Sequence, residues 1–207
     1  MHFAFSMMPK SLCRIFTPFL FLIVLISLLK PNPAQAQSSS IRFTRLTSTH
    51  GLPHDMVNCI LQDHFGYLWF GTQRGLSRYD GYTFTTYHHR RNEADSLVSD
   101  TVNVLFEDSQ GLLWVGTVSG VDQYDAARQR FIHYPELYES VQAIIEDAQG
   151  NLWIGTAGSG LFRFDRITNS FITYTHNPSD PNSLSDDHVN ALLFDDNEIL
   201  WVGTDYG

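Results

Sequence analysis

Apolar and polar positions follow two different rhythms along this chain. One run near the N-terminus is continuous: Phe19 to Leu29 (FLFLIVLISLL) is apolar apart from a single serine. Beyond residue 50 the apolar residues come instead in short stretches with a period of two. Four of these are Val57–Gln62, Val102–Glu107, Val141–Glu146 and Val189–Phe194. In the first, one face holds Val57, Cys59 and Leu61. The copies hold Val102, Val104 and Phe106, then Val141, Ala143 and Ile145, then Val189, Ala191 and Leu193. The opposite face centres on Ile60, Leu105, Ile144 and Leu192. A period of two predicts a strand, and apolar residues on both faces predict one covered on both sides.

Each stretch leads into a turn and a second strand. The turns are Asp63-His-Phe-Gly66, Asp108-Ser-Gln-Gly111 and Asp147-Ala-Gln-Gly150. Aspartate first and glycine fourth suit a type I turn, because the carboxylate accepts backbone N–H groups and glycine tolerates positive φ. The fourth copy, Asp195-Asp-Asn-Glu198, lacks the glycine, and Asn197 is expected to compensate. The second strands are Tyr67–Thr72, Leu112–Thr117, Asn151–Thr156 and Ile199–Thr204, all with Leu-Trp-x-Gly-Thr. Their tryptophans, Trp69, Trp114, Trp153 and Trp201, lie 45, 39 and 48 residues apart. Gly71, Gly116, Gly155 and Gly203 leave room for a neighbouring ring or backbone. Another turn ends in Gly75, Gly120, Gly160 and Gly207. A third strand closes in aromatic-Asp (Tyr79-Asp80, Tyr124-Asp125, Phe164-Asp165). A fourth carries Phe-x-x-Tyr (Phe84/Tyr87, Phe131/Tyr134, Phe171/Tyr174).

Four strands repeated every 40 to 50 residues, roughly, is the arithmetic of an all-β propeller of four-stranded blades. About three and a half blades are present, so the propeller is incomplete. A β-sandwich of short strands is the competing architecture; the fixed repeat argues against it. The expected organisation is a signal peptide over 1–36, an N-terminal strand and lead-in over 37–51, and blade repeats over 52–96, 97–139 and 140–183. A partial fourth repeat covers 184–207.

The N-terminal run changes the reading of compartment. Lys10 and Arg14 precede it and Ala34-Gln35-Ala36 follows, the layout of a cleaved export signal, with an uncleaved anchor as the alternative. Cleavage after Ala36 leaves 10 basic and 22 acidic residues, a net charge of −12 against −9 for the whole chain. Such a charge disfavours a nucleic-acid backbone as partner. Of the two cysteines, Cys13 leaves with the signal and Cys59 has no partner for a disulfide. Cys59 aligns with Val104, Ala143 and Ala191 and is read as core packing rather than a reactive thiol.

The repeated residues carry a resemblance. Val-x-x-Ile/Leu-x-x-Asp-x-x-Gly-x-Leu-Trp-Val-Gly-Thr-x-x-Gly-Leu-x-Arg-Tyr-Asp resembles the two-component regulator propeller repeat. Leu76 and Leu161 fill its leucine position, with Val121 between them; Arg78 and Arg163 fill its arginine position, with Gln123 departing. Phe43-Thr-Arg-Leu-Thr-Ser-Thr-His-Gly-Leu52 and Asp180-Pro-Asn-Ser-Leu-Ser185 are similar to segments of the same sensor regions. The resemblance implies the extracytoplasmic, periplasmic half of a one-piece or hybrid histidine kinase, here its N-terminal fragment. It implies a small-molecule or oligosaccharide ligand from outside the cell. It also implies further blades, a membrane span and kinase regions beyond residue 207, and a dimer when full length. Membrane anchoring is expected only through that continuation.

No catalytic set, metal set or cofactor motif stands out. His88-His89, before Arg90-Arg91, is a solvated link or a ligand contact. The four tryptophans are core or, less simply, platforms for sugar stacking. In a propeller the turns after the second strand and the links into the first share one face. That face carries Gln73, Arg74, Val118, Ser119, Gly158, Ser159, Asp205 and Tyr206. Asp55, Asp100 and Asp187 join them, two residues before the strand-opening valines, either as ligand or cation contacts or as local caps of backbone N–H groups. These turn positions vary between repeats while the framework does not, which marks them as the candidate binding surface. A propeller sensor feeding another output such as a diguanylate cyclase, or a secreted propeller lyase, are the alternatives.

Overall fold

The computed structural model of the protein describes residues 41–207. The expected signal peptide lies outside the described residues. The chain divides into an N-terminal unit ending at Thr44 and a second unit, Arg45–Gly207. The described part of the first, residues 41–44, carries no regular secondary structure. The second opens on a 3-10 turn, Ser48–His50, and no strand occurs between residues 41 and 51. Residues 37–40 of the strand and lead-in expected over 37–51 lie outside the described residues. Thr47 N donates to His50 Nδ1 at 3.2 Å and His50 N to the Thr47 carbonyl at 2.9 Å, and Gly51 then takes φ +111°. Local side-chain bonding of this kind competes with extended pairing.

Fourteen strands follow. β1 (Val57–Gln62), β2 (Leu68–Thr72), β3 (Gly75–Tyr79) and β4 (Phe84–Tyr87) form one antiparallel sheet in chain order. β5 (Val102–Glu107), β6 (Leu113–Thr117), β7 (Gly120–Asp125) and β8 (Arg130–His133) form the second. β9 (Val141–Glu146), β10 (Leu152–Thr156), β11 (Leu161–Asp165) and β12 (Ser170–Tyr174) form the third. β13 (Val189–Phe194) and β14 (Leu200–Thr204) pair as a two-stranded sheet. The first strands β1, β5, β9 and β13 neighbour one another in that order. Consecutive blades therefore stack face to face, as the two apolar faces of each first strand require.

One aspartate organises each blade. Asp63 Oδ1 accepts the N–H groups of Phe65 (3.0 Å) and Tyr67 (2.9 Å), while Oδ2 accepts Trp69 Nε1 at 2.8 Å. Asp108, Asp147 and Asp195 repeat this with Trp114, Trp153 and Trp201 at 2.8, 2.9 and 3.0 Å. The side chain thus shapes the turn and orients the indole in one motif. In the fourth turn Glu198 itself takes the left-handed conformation, at φ +61°, so Asn197 does not compensate for the missing glycine.

Stacking depends on a close approach at the Trp-Gly-Thr glycine. A Cβ on Gly71, Gly116 or Gly155 would stand 2.6 Å from Val102, Val141 or Val189 of the next blade. Those valines are fully buried. The aromatics then interlock: Trp69 meets Tyr124 of the next blade edge-on at 5.1 Å, and Trp114 meets Phe164 at 5.4 Å. Cys59 packs into the first of these boundaries, and burial pushes its thiol up to about 12. Trp201 is 61% exposed in the described residues, against 2% for Trp69 and 1% for Trp114. No sheet among the described residues lies against its face of β14.

Candidate ligand-binding face

The Thr of each Trp-Gly-Thr segment builds the turn that follows. Thr72 Oγ1 donates to the Gly75 carbonyl at 2.8 Å and accepts Arg74 N at 3.0 Å. Thr117 treats Gly120 and Ser119 alike (3.0 and 3.1 Å), as Thr156 does Gly160 and Ser159 (2.8 and 3.1 Å). Thr204 Oγ1 donates to the Gly207 carbonyl at 2.7 Å. Every turn between second and third strands is therefore pinned to a buried or half-buried hydroxyl. Gln73, Arg74, Val118, Ser119, Asp205 and Tyr206 project from these turns with exposed side chains, Gly158 is exposed and Ser159 is half-buried.

The links between blades dock on the same turns. Gly75 N donates to the Asp100 carbonyl at 2.7 Å and Gly160 N to the Asp187 carbonyl at 2.9 Å. Gln73–Arg74 is thereby brought beside Asp100, and Ser159 beside Asp187. Ser185 Oγ donates to the Gly207 carbonyl at 2.6 Å, which brings the Tyr206 turn to the last link. Asp55 lies apart, before β1, with Oδ1 taking Ser48 N at 2.6 Å. That bond holds its carboxyl below the usual range. The carboxylates of Asp100 and Asp187 accept His89 N (2.7 Å) and His176 N (2.6 Å). Each keeps its second oxygen for other partners.

A longer signal surrounds these aspartates and escaped the sequence reading. His89-x6-Ser96-Leu97-x-x-Asp100 recurs as His176-x6-Ser183-Leu184-x-x-Asp187. His89 Nδ1 sits 2.7 Å from the Leu97 carbonyl, and His176 Nδ1 2.7 Å from the Leu184 carbonyl. Ser96 and Ser183 accept Arg90 N and Asn177 N at 2.9 and 2.8 Å. His89 and His176 are thus built into two copies of one link. The link into β9 is one residue shorter after Leu137 and has no such aspartate.

Behind the first of these links lies an aspartate–histidine pair. Asp122, fully buried, accepts Val98 N at 2.8 Å through Oδ2 and pairs with His133 Nδ1 at 2.6 Å through Oδ1. Burial raises the Asp122 carboxyl despite His133 beside it, and the bond to Asp122 raises His133. The pair fixes the chain that leads to Asp100. No group of three or more potential metal ligands clusters among the described residues. Among them, too, no helix is long and apolar enough to cross a membrane.

Three four-stranded antiparallel sheets, stacked through their first strands and sealed by Asp–Trp turns, define β-propeller blades. The family model for the two component regulator propeller matches residues 51–74, 96–119, 136–158 and 183–206. The chain belongs to the two component regulator propeller repeat family. It is 36% identical over 83 residues to histidine kinase P4 of Formosa agariphila, a match covering 40% of this chain and 6% of that protein. Among solved structures it is similar to the extracellular domain described as belonging to hybrid two component system BT3049 of B. thetaiotaomicron. That match has 27% identity, a TM-score of 0.69, and covers 78% of this chain and 24% of that one. The BT4673 extracellular domain of the same organism matches at 25% identity and TM-score 0.71, over 82% of this chain and 23% of that one. Virginiamycin B lyase from Staphylococcus aureus, at 13% identity and TM-score 0.55, shares the fold alone. The chain spans less than a quarter of the length of the two-component relatives it matches.

Proposed function

We propose that this chain is the ligand-sensing part of the extracytoplasmic region of a two-component histidine kinase. Its ligand is a glycan or another nutrient molecule, taken on the face of the β2–β3-type turns. The observation that carries this reading is a contrast within the chain. Four threonines pin four turns through the same bond to the closing glycine carbonyl, the third turn being one residue longer, while the residues on them differ: Gln73-Arg74, Val118-Ser119, Gly158-Ser159 and Asp205-Tyr206. A rigid scaffold with variable tips suits recognition. Kinship with histidine kinase P4 and with extracellular domains of two component systems supports export and coupling to a kinase. The kinase, the membrane anchor, a dimer and the cleaved signal over 1–36 belong to this same reading. The framework chemistry contributes no catalysis to it.

The test is calorimetric titration of the chain with a panel of oligosaccharides released from algal and plant polysaccharides. Arg74→Ala and Tyr206→Ala are expected to weaken the binding found by about tenfold or more without lowering thermal stability. Binding unchanged in both variants removes this face from the proposal.

A further inference from the structure

The first two boundaries between blades each build a second socket, on the face opposite the pinned turns. Between the second and third blades it is filled. Arg166, just after β11, reaches back across the boundary. Its Nη2 donates to Asp108 Oδ2 at 2.8 Å and Glu146 Oε1 at 3.2 Å, its Nη1 to Gln110 Oε1 at 3.3 Å, and its Nε to the Gly150 carbonyl at 2.5 Å. All the guanidinium bonds go to this one socket, in the fork geometry that suits arginine.

Between the first and second blades the same socket stands open. Asp63, Glu107 and Gly111 occupy the repeat positions of Asp108, Glu146 and Gly150, but Ala126 occupies that of Arg166. The space left is a cavity of about 220 Å³, lined by those four residues and by the rings of Tyr67 and Trp69. Its carboxylates are already aimed. Glu107 accepts His64 N at 2.9 Å and stands 2.5 Å from His64 Nδ1, just as Glu146 accepts Ser109 N at 2.6 Å and Ser109 Oγ at 2.8 Å. Asp63 is fixed by its turn and by Trp69. Preorganised acceptors of this kind lower the ordering cost of binding.

Arg78 forms one wall. Its guanidinium carbon lies 4.7 Å from the Tyr67 ring centroid and 5.8 Å from that of Trp69, stacked on the rings. The second blade has neutral Gln123 at this position. The stacked cation partly offsets the two carboxylates and leaves the socket one negative charge in excess while His64 is neutral.

We propose that the socket between the first two blades binds a guanidinium group on an aliphatic stem, supplied from outside the chain where Arg166 is supplied from within. The source is either a small guanidino compound or the arginine side chain of a peptide. The site is distinct from the proposed sensing face and stands independently of it.

Trp69 lines the cavity, so its fluorescence reports occupancy. The full chain is titrated with agmatine, with a capped Gly-Arg-Gly peptide, and with cadaverine and a capped Gly-Lys-Gly peptide as amine counterparts. The guanidinium compounds are expected to bind at least about tenfold more tightly than the amines. Tighter binding of agmatine identifies the small-molecule source, and tighter binding of the peptide the protein source. Ala126→Arg is expected to fill the socket, abolish binding of both and raise the melting temperature. Glu107→Gln is expected to weaken binding by about tenfold or more, and Arg78→Gln to tighten it. Failure of both guanidinium probes to bind overturns the proposal, as does equal affinity in a folded Ala126→Arg variant. If that variant does not fold, unchanged affinity in Glu107→Gln overturns it.

Discussion

The second and fourth blades contain the same five residues, Leu-Trp-Val-Gly-Thr, as β6 and β14. In β6 all five are buried; in β14 none is. Trp114 is 1% exposed and Trp201 61%, although each donates its indole N–H to its own aspartate. The local motif therefore sets strand, turn and indole orientation within a blade. Burial comes from the sheet stacked on it. Trp114 has Phe164 and Val141 of the third blade beside it.

The strongest way to break this comparison is to truncate both rings. Trp114→Ala is expected to cost about 3–5 kcal/mol in urea unfolding, as for other buried aromatics. Trp201→Ala is expected to cost under about 1 kcal/mol. Similar costs would mean that the motif, not the neighbour, carries the energy. Next come the glycines. A Cβ on Gly116 meets Val104 at 2.5 Å and Val141 at 2.6 Å, whereas one on Gly203 meets nothing nearer than 3.5 Å. Gly116→Ala should cost about 1–3 kcal/mol by overpacking, and Gly203→Ala close to nothing.

A smaller effect sharpens the contrast in the turns. Glu198 holds φ +61° where the other three turns have glycine. Glu198→Gly is expected to stabilise that hairpin by about 0.5–1 kcal/mol, read as slower hydrogen exchange at the Ile199 amide. The mildest effect is a pH dependence confined to the second blade. The His133 value lies above its ordinary 6.5 in the folded state, because Asp122 accepts its bond. Its contribution is fully present below that ordinary value and is lost as pH rises through the raised one. The buried Asp122 carboxyl, raised above 3.8, acts in the same direction. The melting temperature is thus expected to fall as pH rises above the ordinary histidine value of 6.5, and to fall less in His133→Gln. An unchanged slope in that variant removes the pair as the cause.

The strand bounds were legible in the chain because each rests on a local signal. The period-two runs, the Asp-x-x-Gly turns and the glycines of close approach all act within a few residues. The reading stopped where partners lie far apart in sequence. Arg166 reaches Asp108 across 58 residues, and nothing near either residue announces the bond. The exposure of Trp201 is a property of its surroundings and cannot be read from five identical residues. The Gln73, Arg74, Ser119, Ser159 and Tyr206 positions were placed by topology alone. For Asp55, Asp100 and Asp187 the sequence left backbone caps beside ligand contacts, and each does accept a backbone N–H.

The most direct test of the claim that the neighbouring blade, not the motif, sets burial is fluorine NMR of the chain labelled with 5-fluorotryptophan. The four resonances are assigned by single Trp→Phe substitutions. The account predicts a large solvent isotope shift between light and heavy water for Trp201, and almost none for Trp69 and Trp114. Equal shifts at Trp114 and Trp201 would contradict it.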